Sequence, residues 1–348
     1  MNDGLPTTMA ALFKPGPVAG LQLIETPVPH HGDDDVLIRV LLTGLCGTDL
    51  HIHAWDDWAR SAVRTPLIPG HECVGRIVAT GSAVTGLHEG QIVGVEGHLT
   101  CGRCEQCRAG ARHLCLRNTN LGVHTDGVFA EYVAVPAANV WVHGDRVPLE
   151  VASIFDPLGN AVHAATTHPI SGMSVLITGA GPIGLMAAQI CARMGARAVV
   201  ITDISSYRLG LAEHIDVTPA TAPQAGPDEL RAAGGTPLGF DIGLEMSGAP
   251  EALQTMLDAV SPGGRIVALG LPSKDTSVDW ADISTRMLNI QGVSGRRIPE
   301  TWRSVAALVA NGLDPSFVIT HKFRYDQHVE AFATAAGGKA GKVLLDWA

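Results

Sequence analysis

From Pro157 to Ala192 the chain runs for 36 residues without an Asp, Glu, Lys or Arg, and a stretch so apolar must be buried in protein or in lipid. Its interruptions argue against lipid. Gly159, Asn160, Thr166, Thr167, His168, Pro169, Ser171 and Gly172 break the first half, and Gly179, Gly181, Pro182 and Gly184 break the second. A buried helix, a buried parallel strand at Ser174–Thr178 and a second helix over Pro182–Met194 fit the pattern instead. The rhythm continues downstream with strands at Ala198–Thr202, Phe240–Met246, Arg265–Leu269 and Asn289–Val293, and with helices at Ser205–His214 and Pro250–Val260. Short apolar strands alternating with longer amphipathic segments are the signature of parallel α/β structure, here a doubly wound sheet. Ala220–Gly239, rich in Ala, Pro and Gly, reads as a surface loop with a short helix.

The N-terminal part has a different period. Val36–Leu42, Val74–Ala79, Gln91–Val95 and Val128–Val135 read as short strands between glycine turns, an all-β pattern. Beyond Pro299 come a helix to Ala310, a strand around Phe317–Phe323, another helix and a closing strand at Lys342–Trp347, expected to pack back onto the N-terminal domain. A length of 348 residues predicts two domains: 1–157 completed by 297–348, and 158–296 between them. With 24 basic against 34 acidic side chains, the formal charge of −10 argues against nucleic acid as a partner. The opening Met1, Asn2, Asp3 has no basic segment, and Lys14, Pro15 and Pro17 cut the first apolar stretch; no signal peptide, no membrane partner and a cytoplasmic location are expected.

Gly179, Gly181 and Gly184 form GxGxxG between the first strand of the α/β part and the helix after it, the context a dinucleotide site requires. The first glycine allows the turn, the second lets the backbone approach a pyrophosphate, and the third lets helix pack on strand. Asp203 ends the next strand, where a carboxylate accepts ribose hydroxyls and repels a 2′-phosphate, so NAD is favoured over NADP. The alternative for Asp203 is a helix-start or surface-turn residue, and Arg208, five residues on, could greet a 2′-phosphate.

Four of the seven cysteines, Cys101, Cys104, Cys107 and Cys115, fall in one short segment, a spacing that can wrap a closed, tetrahedral structural zinc. The alternatives are a loop of free thiols or an iron–sulfur cluster, and the cluster fits less well because the fourth cysteine is too distant for a ferredoxin run and Leu116 rather than proline follows it. Cys46, and His71 with Glu72, supply thiolate, imidazole and carboxylate, the makings of an open catalytic zinc site. Taken singly they read as a small buried hydrophobe, a core histidine and a surface charge. Trp55-Asp-Asp-Trp58 reads as a solvated loop with two anchoring tryptophans, or as a lid over a pocket.

Together, Gly-His-Glu at 70–72, the four-cysteine lobe and the downstream GxGxxG resemble the zinc-containing medium-chain alcohol dehydrogenase superfamily along essentially the whole chain. Five segments resemble its threonine-oxidising branch: Cys46–Trp58, Glu96–Gly102, Phe155–His163, Leu244–Pro250 and Ile319–His321. The resemblance implies a GroES-like β-rich catalytic domain, a Rossmann domain and a homotetramer. It implies NAD, one structural zinc on the four cysteines and one catalytic zinc on Cys46, His71 and Glu72, with Glu72 able to exchange with water or substrate. Asp156 matches a carboxylate near that metal, Thr48 and His51 match a proton relay whose plain alternative is a structural pair at a strand end, and His98 matches a histidine on the substrate side. Ile183, Asp203, Arg208, Leu269, Gly270, Leu271, Val293 and Ser294 match cofactor contacts, although Ser294 is smaller than the aromatic residue expected and Arg297 replaces an acid. The implied activity is oxidation of the secondary hydroxyl of L-threonine. Polyol or small-diol oxidation needs the same groups and is the competitor; a zinc-stapled nucleotide-binding protein without catalysis and a zinc-free quinone reductase are others, disfavoured by the presence of all three metal ligands.

Overall fold

The strand Asp35–Gly44 organises the first part of the computed structural model, which describes residues 5–272 and 275–348. The reading of Met1 to Asp3 lies outside the described residues. Val36, Leu37, Ile38, Val40 and Leu42 on this strand are all buried, and it pairs antiparallel with Glu72–Thr80 along its whole length. Its other edge is shared: Tyr132–Pro136 pairs with the first half and the C-terminal strand Lys342–Asp346 with the end, both antiparallel. Ile92–Val95, Val140–Val142 and Ile319–Arg324 complete a seven-stranded sheet. Register then decides what meets at one end of it, because Gly44 lies opposite Glu72 on one side and Leu344 on the other.

Pro157–Arg296 with Gly338–Gly341 forms a second unit; the first comprises the chain up to Asp156 together with Arg297–Gly337 and Lys342–Ala348. The second unit is a six-stranded, wholly parallel sheet in the spatial order Thr218–Thr221, Ala198–Asp203, Ser174–Thr178, Phe240–Glu245, Val260–Ala268, Asn289–Gly292. The order reverses between Ser174–Thr178 and Phe240–Glu245, the switch point at which such sheets bind ligands. The uncharged run resolves into the helix Phe155–Ala165, the fully buried strand Ser174–Thr178 and the helix Pro182–Arg193. Leu176, Val200, Phe240, Met256 and Ile266 close one core layer. Among the described residues no helix is long and apolar enough to cross a membrane.

Three local readings are corrected. The strand expected at Val128–Val135 starts only at Tyr132, because Gly127, Val128 and Phe129 give their N–H groups to the carbonyls of Ile68, Gly70 and Pro69 rather than to a ladder. Trp55–Trp58 is a helix junction, not a loop: Trp55 is buried at φ 56° as the C-cap of the helix Gly47–Ala54, and Asp56 caps the helix Asp57–Ala62. The segment taken as a loop from Ala220 begins inside the strand Thr218–Thr221; as an edge strand it tolerates Pro219, which hides its β pattern. A hairpin of Thr8–Phe13 with Gln22–Pro27 was not anticipated.

His143, in the first unit, is a buried ring with both of its nitrogens unpaired among the described residues. It is 6% exposed and meets Phe155 edge-on at 4.5 Å between centroids. Burial pulls its pKa down from 6.5 to about 4. The unfolded chain takes up this proton as pH falls through 6.5 while the folded protein does not until about 4, so stability is intact above 6.5 and drains away below it. Between those limits His143 alone should cost roughly 3 kcal/mol. Urea titrations at pH 6.5 and 4.5 should show a shallower stability loss for His143→Leu than for the parent; parallel losses would assign acid lability to other groups.

Candidate active site and metal centres

Cys46, His71 and Glu72 each place one ligand atom within 4.8 Å of the others. Cys46 follows the strand Asp35–Gly44 and caps the helix Gly47–Ala54, where Asp49 in the first turn takes the Cys46 N–H on Oδ2 at 2.8 Å. His71 and Glu72 arrive at the start of the paired strand. Gly44 makes the meeting possible, since a Cβ there would collide with Glu72 Oε2. Glu72 is wholly buried, and both its oxygens accept from Lys342 Nζ at 2.9 Å; Lys342 also donates to the Leu45 carbonyl at 3.0 Å. Burial pulls the Lys342 pKa down, but the Glu72 carboxylate together with Cys46 and Asp49 outweighs it and the net shift is upward.

The donor set fits a divalent ion. Burial raises the Asp49 pKa to about 6. On His71 burial works the other way, yet the Cys46 sulfur with the charges of Asp49 and Asp156 holds its proton up to about 10. The surroundings of the imidazole are thus strongly negative and call for a positive charge. His71 Nδ1 is buried without a hydrogen bond, 3.9 Å from Asp49 Oδ1, so a carboxylate stands ready to orient a ligating ring. The second set, Cys101, Cys104, Cys107 and Cys115, is also mutually within 4.8 Å. Backbone N–H groups of Cys101 and Arg117 donate to Cys115 Sγ at 3.3 and 3.4 Å, and those of Cys107 and Leu116 bring the Cys104 pKa down to about 6. Amide donors aimed at sulfur stabilise thiolates, and four thiolates leave no open position for chemistry.

Thr48 and His51 lie on the helix Gly47–Ala54, not at a strand end. Thr48 Oγ1 is 3.9 Å from Cys46 Sγ, and His51 Nδ1 is paired with the carboxylate of Asp56. His98 Nδ1 donates to Glu96 Oε1 at 2.7 Å, while Glu96 Oε2 accepts from Trp302 Nε1 at 2.8 Å. Asn139 Nδ2 ties down the carbonyls of Glu96 and His98, both at 2.8 Å. The turn between them lies against His71: a Cβ on Gly97 would sit 3.3 Å from His71 Cβ and 3.9 Å from Asp156 Oδ2. Asp156 is buried beside the three-ligand cluster without being part of it. Asp49, Lys342, Glu96 and Trp302 were missed as site residues. Lys342 carried a signal, a charge opening an apolar strand, but its partner is 270 positions away.

In the second unit Gly181 caps the helix Pro182–Arg193, whose first turn holds no acidic side chain to compete for an anion. A Cβ on Gly184 would collide with the Gly179 carbonyl, whereas one on Gly181 would meet nothing within 4 Å, the open backbone a pyrophosphate needs. Asp203 Oδ2 takes the Ala180 N–H at 2.7 Å and Oδ1 that of Ser205 at 2.8 Å, leaving further lone pairs on each oxygen. Arg208 is half-buried on the helix Ser206–Leu211, and Ile183 is half-buried in the first turn after Gly181. Leu269 and Gly270 donate their N–H groups to the Glu245 carbonyl; Leu271 and Ser294 are exposed and Val293 is buried. Glu245, also missed, is buried and holds the N–H groups of Ser247 at 2.8 Å and Gly248 at 2.9 Å, shaping the loop at the switch point. These features fit a dinucleotide.

Removing one partner of a buried ion pair strands the other, so Lys342→Met should destabilise the protein by about 3–5 kcal/mol. Glu72→Gln with Lys342→Met together should restore part of that loss. Equal stability of parent and Lys342→Met in urea unfolding would show that the pair does not support the fold.

Residues 32–146 match the family described as alcohol dehydrogenase GroES-like domain, and residues 182–311 the family described as zinc-binding dehydrogenase. The chain is 51% identical over 340 residues to an L-threonine 3-dehydrogenase of Saccharopolyspora erythraea and 54% identical over 341 residues to one of Streptomyces avermitilis, in each case spanning 97% of this chain and 99% of the relative. Its fold is similar to that of an alcohol dehydrogenase from Escherichia coli CFT073 crystallised with NADH, at a TM-score of 0.89 and 28% identity over 98% of this chain and 100% of that one. With a GroES-like β domain, a Rossmann domain and two metal-ligand clusters in one chain, the protein belongs to the zinc-containing medium-chain alcohol dehydrogenase superfamily.

Proposed function

We propose that the protein oxidises the secondary hydroxyl of L-threonine to 2-amino-3-oxobutanoate with zinc and NAD. The observation that carries this reading is identity above 50% along nearly the whole chain to two L-threonine 3-dehydrogenases, in a chain that brings Cys46, His71 and Glu72 together. Bound to the site, zinc supplies a Lewis acid that lowers the pKa of an alcohol, and the nicotinamide supplies the hydride acceptor.

The chain's own residues do the rest. Cys46 and His71 hold the metal, and Glu72, with both oxygens on Lys342, serves as a shared and exchangeable third ligand. Thr48 and His51 carry the hydroxyl proton away, on one helix that starts at the Cys46 ligand. Glu96 sets His98 with Nδ1 as its donor nitrogen, which makes Nε2 the acceptor nitrogen of the ring on the substrate side. Asp156 adds negative charge beside His71 and takes part in proton movement. The backbone around Gly181 receives the pyrophosphate, and Asp203 takes the ribose hydroxyls. The four-cysteine lobe holds the structural zinc. All seven cysteines are unbridged, the state a reducing compartment maintains, and the reading places the enzyme in the cytoplasm as a homotetramer.

NADH formation by the zinc-replete protein tests the substrate, with L-threonine set beside L-serine, sorbitol and 2,3-butanediol. A kcat/KM for L-threonine at least about tenfold above the others, a margin of about 1.4 kcal/mol, is expected. Turnover of the diol or polyol in its place would overturn the assignment. Asp203→Ala should raise the KM for NAD and narrow the preference over NADP; an unchanged ratio of the two cofactors would remove Asp203 from ribose recognition.

A further inference from the structure

The tryptophan-flanked segment Trp55–Trp58 has no part in the mechanism above, yet it delivers a carboxylate to the relay histidine. In an uninterrupted helix, residues five apart point roughly 140° away from each other. Here Trp55 adopts the left-handed conformation, φ 56°, with its N–H on the His51 carbonyl at 2.9 Å, and this break folds Asp56 back onto the His51 ring. The carboxylate is fixed from both sides. Its Oδ1 accepts the Ala59 N–H at 3.1 Å as the cap of the helix Asp57–Ala62, and its Oδ2 pairs with His51 Nδ1. The turn is itself braced: buried Lys14 lies 5.1 Å from the centroid of the Trp55 ring and donates to the carbonyls of Val18, Gly20 and His53. Trp58 closes the other side, its ring centroid 5.6 Å from that of His51.

We propose that Asp56 is the positioning residue of the proton relay, fixing His51 in the tautomer that carries its proton on Nδ1 and offers Nε2 as the accepting nitrogen. A neutral imidazole has one donor and one acceptor nitrogen, and a carboxylate can only accept, so its partner must be the N–H. During oxidation the hydroxyl proton passes through Thr48 to His51 Nε2. The resulting imidazolium keeps Nδ1–H on the ionised Asp56 and gives up the new proton to water, to which its ring is half exposed. Asp56 neither gains nor loses a proton. The inference rests on the relay assigned to Thr48 and His51 under the proposed function.

Asp56→Asn separates tautomer control from helix capping, because its amide oxygen can still cap Ala59 while its NH2 group meets His51 Nδ1 as a donor. In protein with 15N-labelled histidine, above the imidazole pKa, the His51 signal is identified by its loss in His51→Gln. It should report a proton on Nδ1 in the parent and on Nε2 in Asp56→Asn. In turnover, kcat should fall roughly tenfold in Asp56→Asn with the KM for NAD unchanged, and Asp56→Asn should cause no further loss in a His51→Gln background. A parent His51 protonated on Nε2, or an equal loss of kcat in both backgrounds, would overturn the proposal and leave Asp56 a helix cap. Should the protein turn over another alcohol and not L-threonine, the substrate reading fails, while the tautomer measurement and the paired variants with that alcohol still decide the role of Asp56.

Discussion

The buried pair of Glu72 and Lys342 is the interaction on which the catalytic end of the first unit depends. Two charges removed from water are tolerated only with close geometry and satisfied neighbours, and here one ammonium meets both carboxylate oxygens and a backbone carbonyl. The pair joins strands from opposite ends of the sequence onto the two edges of Asp35–Gly44. A slip of one residue in either ladder would turn these side chains to the other face of the sheet. The same pair that fixes the register thus fixes the position of the carboxylate proposed as a metal ligand, so that stability and the proposed chemistry meet at this point.

A single helix of eight residues, Gly47–Ala54, then distributes the proposed roles around that carboxylate. Cys46 at its cap, Asp49 one turn on and His51 near its end differ in environment. Asp49 is buried, and its pKa is raised by desolvation; His51 is half exposed and open to solvent exchange. The relay proposed for Thr48 and His51 needs such a gradient, with a dry end where the hydroxyl would be bound and a wet end where the proton would leave. The left-handed Trp55 ends the helix where the gradient reaches water.

What was legible in the sequence was what local pattern encodes. The uncharged run from Pro157, the glycine spacing at 179–184 and the strand-ending Asp203 each carry their signal within a few residues, and the parallel sheet follows from their repetition. The four cysteines were legible for the same reason. Cys46 and the His71–Glu72 pair could be named as ligand types, but their spacing carries no sign of convergence, which only the resemblance implied and which depends on a ladder between two strands. The supporting groups were hidden by distance, Trp302 lying 206 positions from Glu96 and Lys342 lying 270 from Glu72. The two short helices around Trp55 escaped because eight and six residues are too few to establish a 3.6-residue period.

The partner of Glu72 also bears on how strongly the site can activate an alcohol. An anionic ligand donates charge to a metal and blunts its pull on a bound hydroxyl, so a thiolate and a bare carboxylate together would give a weaker Lewis acid than a thiolate and an imidazole. Lys342 offsets much of the carboxylate charge before any metal is held, and the buried setting keeps that compensation unscreened. In the proposed site Cys46 and His71 would then set the electronic character of the metal, with the Glu72 carboxylate within 4.8 Å of their ligand atoms. Under the proposed function the lysine thus bears on the alcohol's acidity through the carboxylate whose charge it offsets.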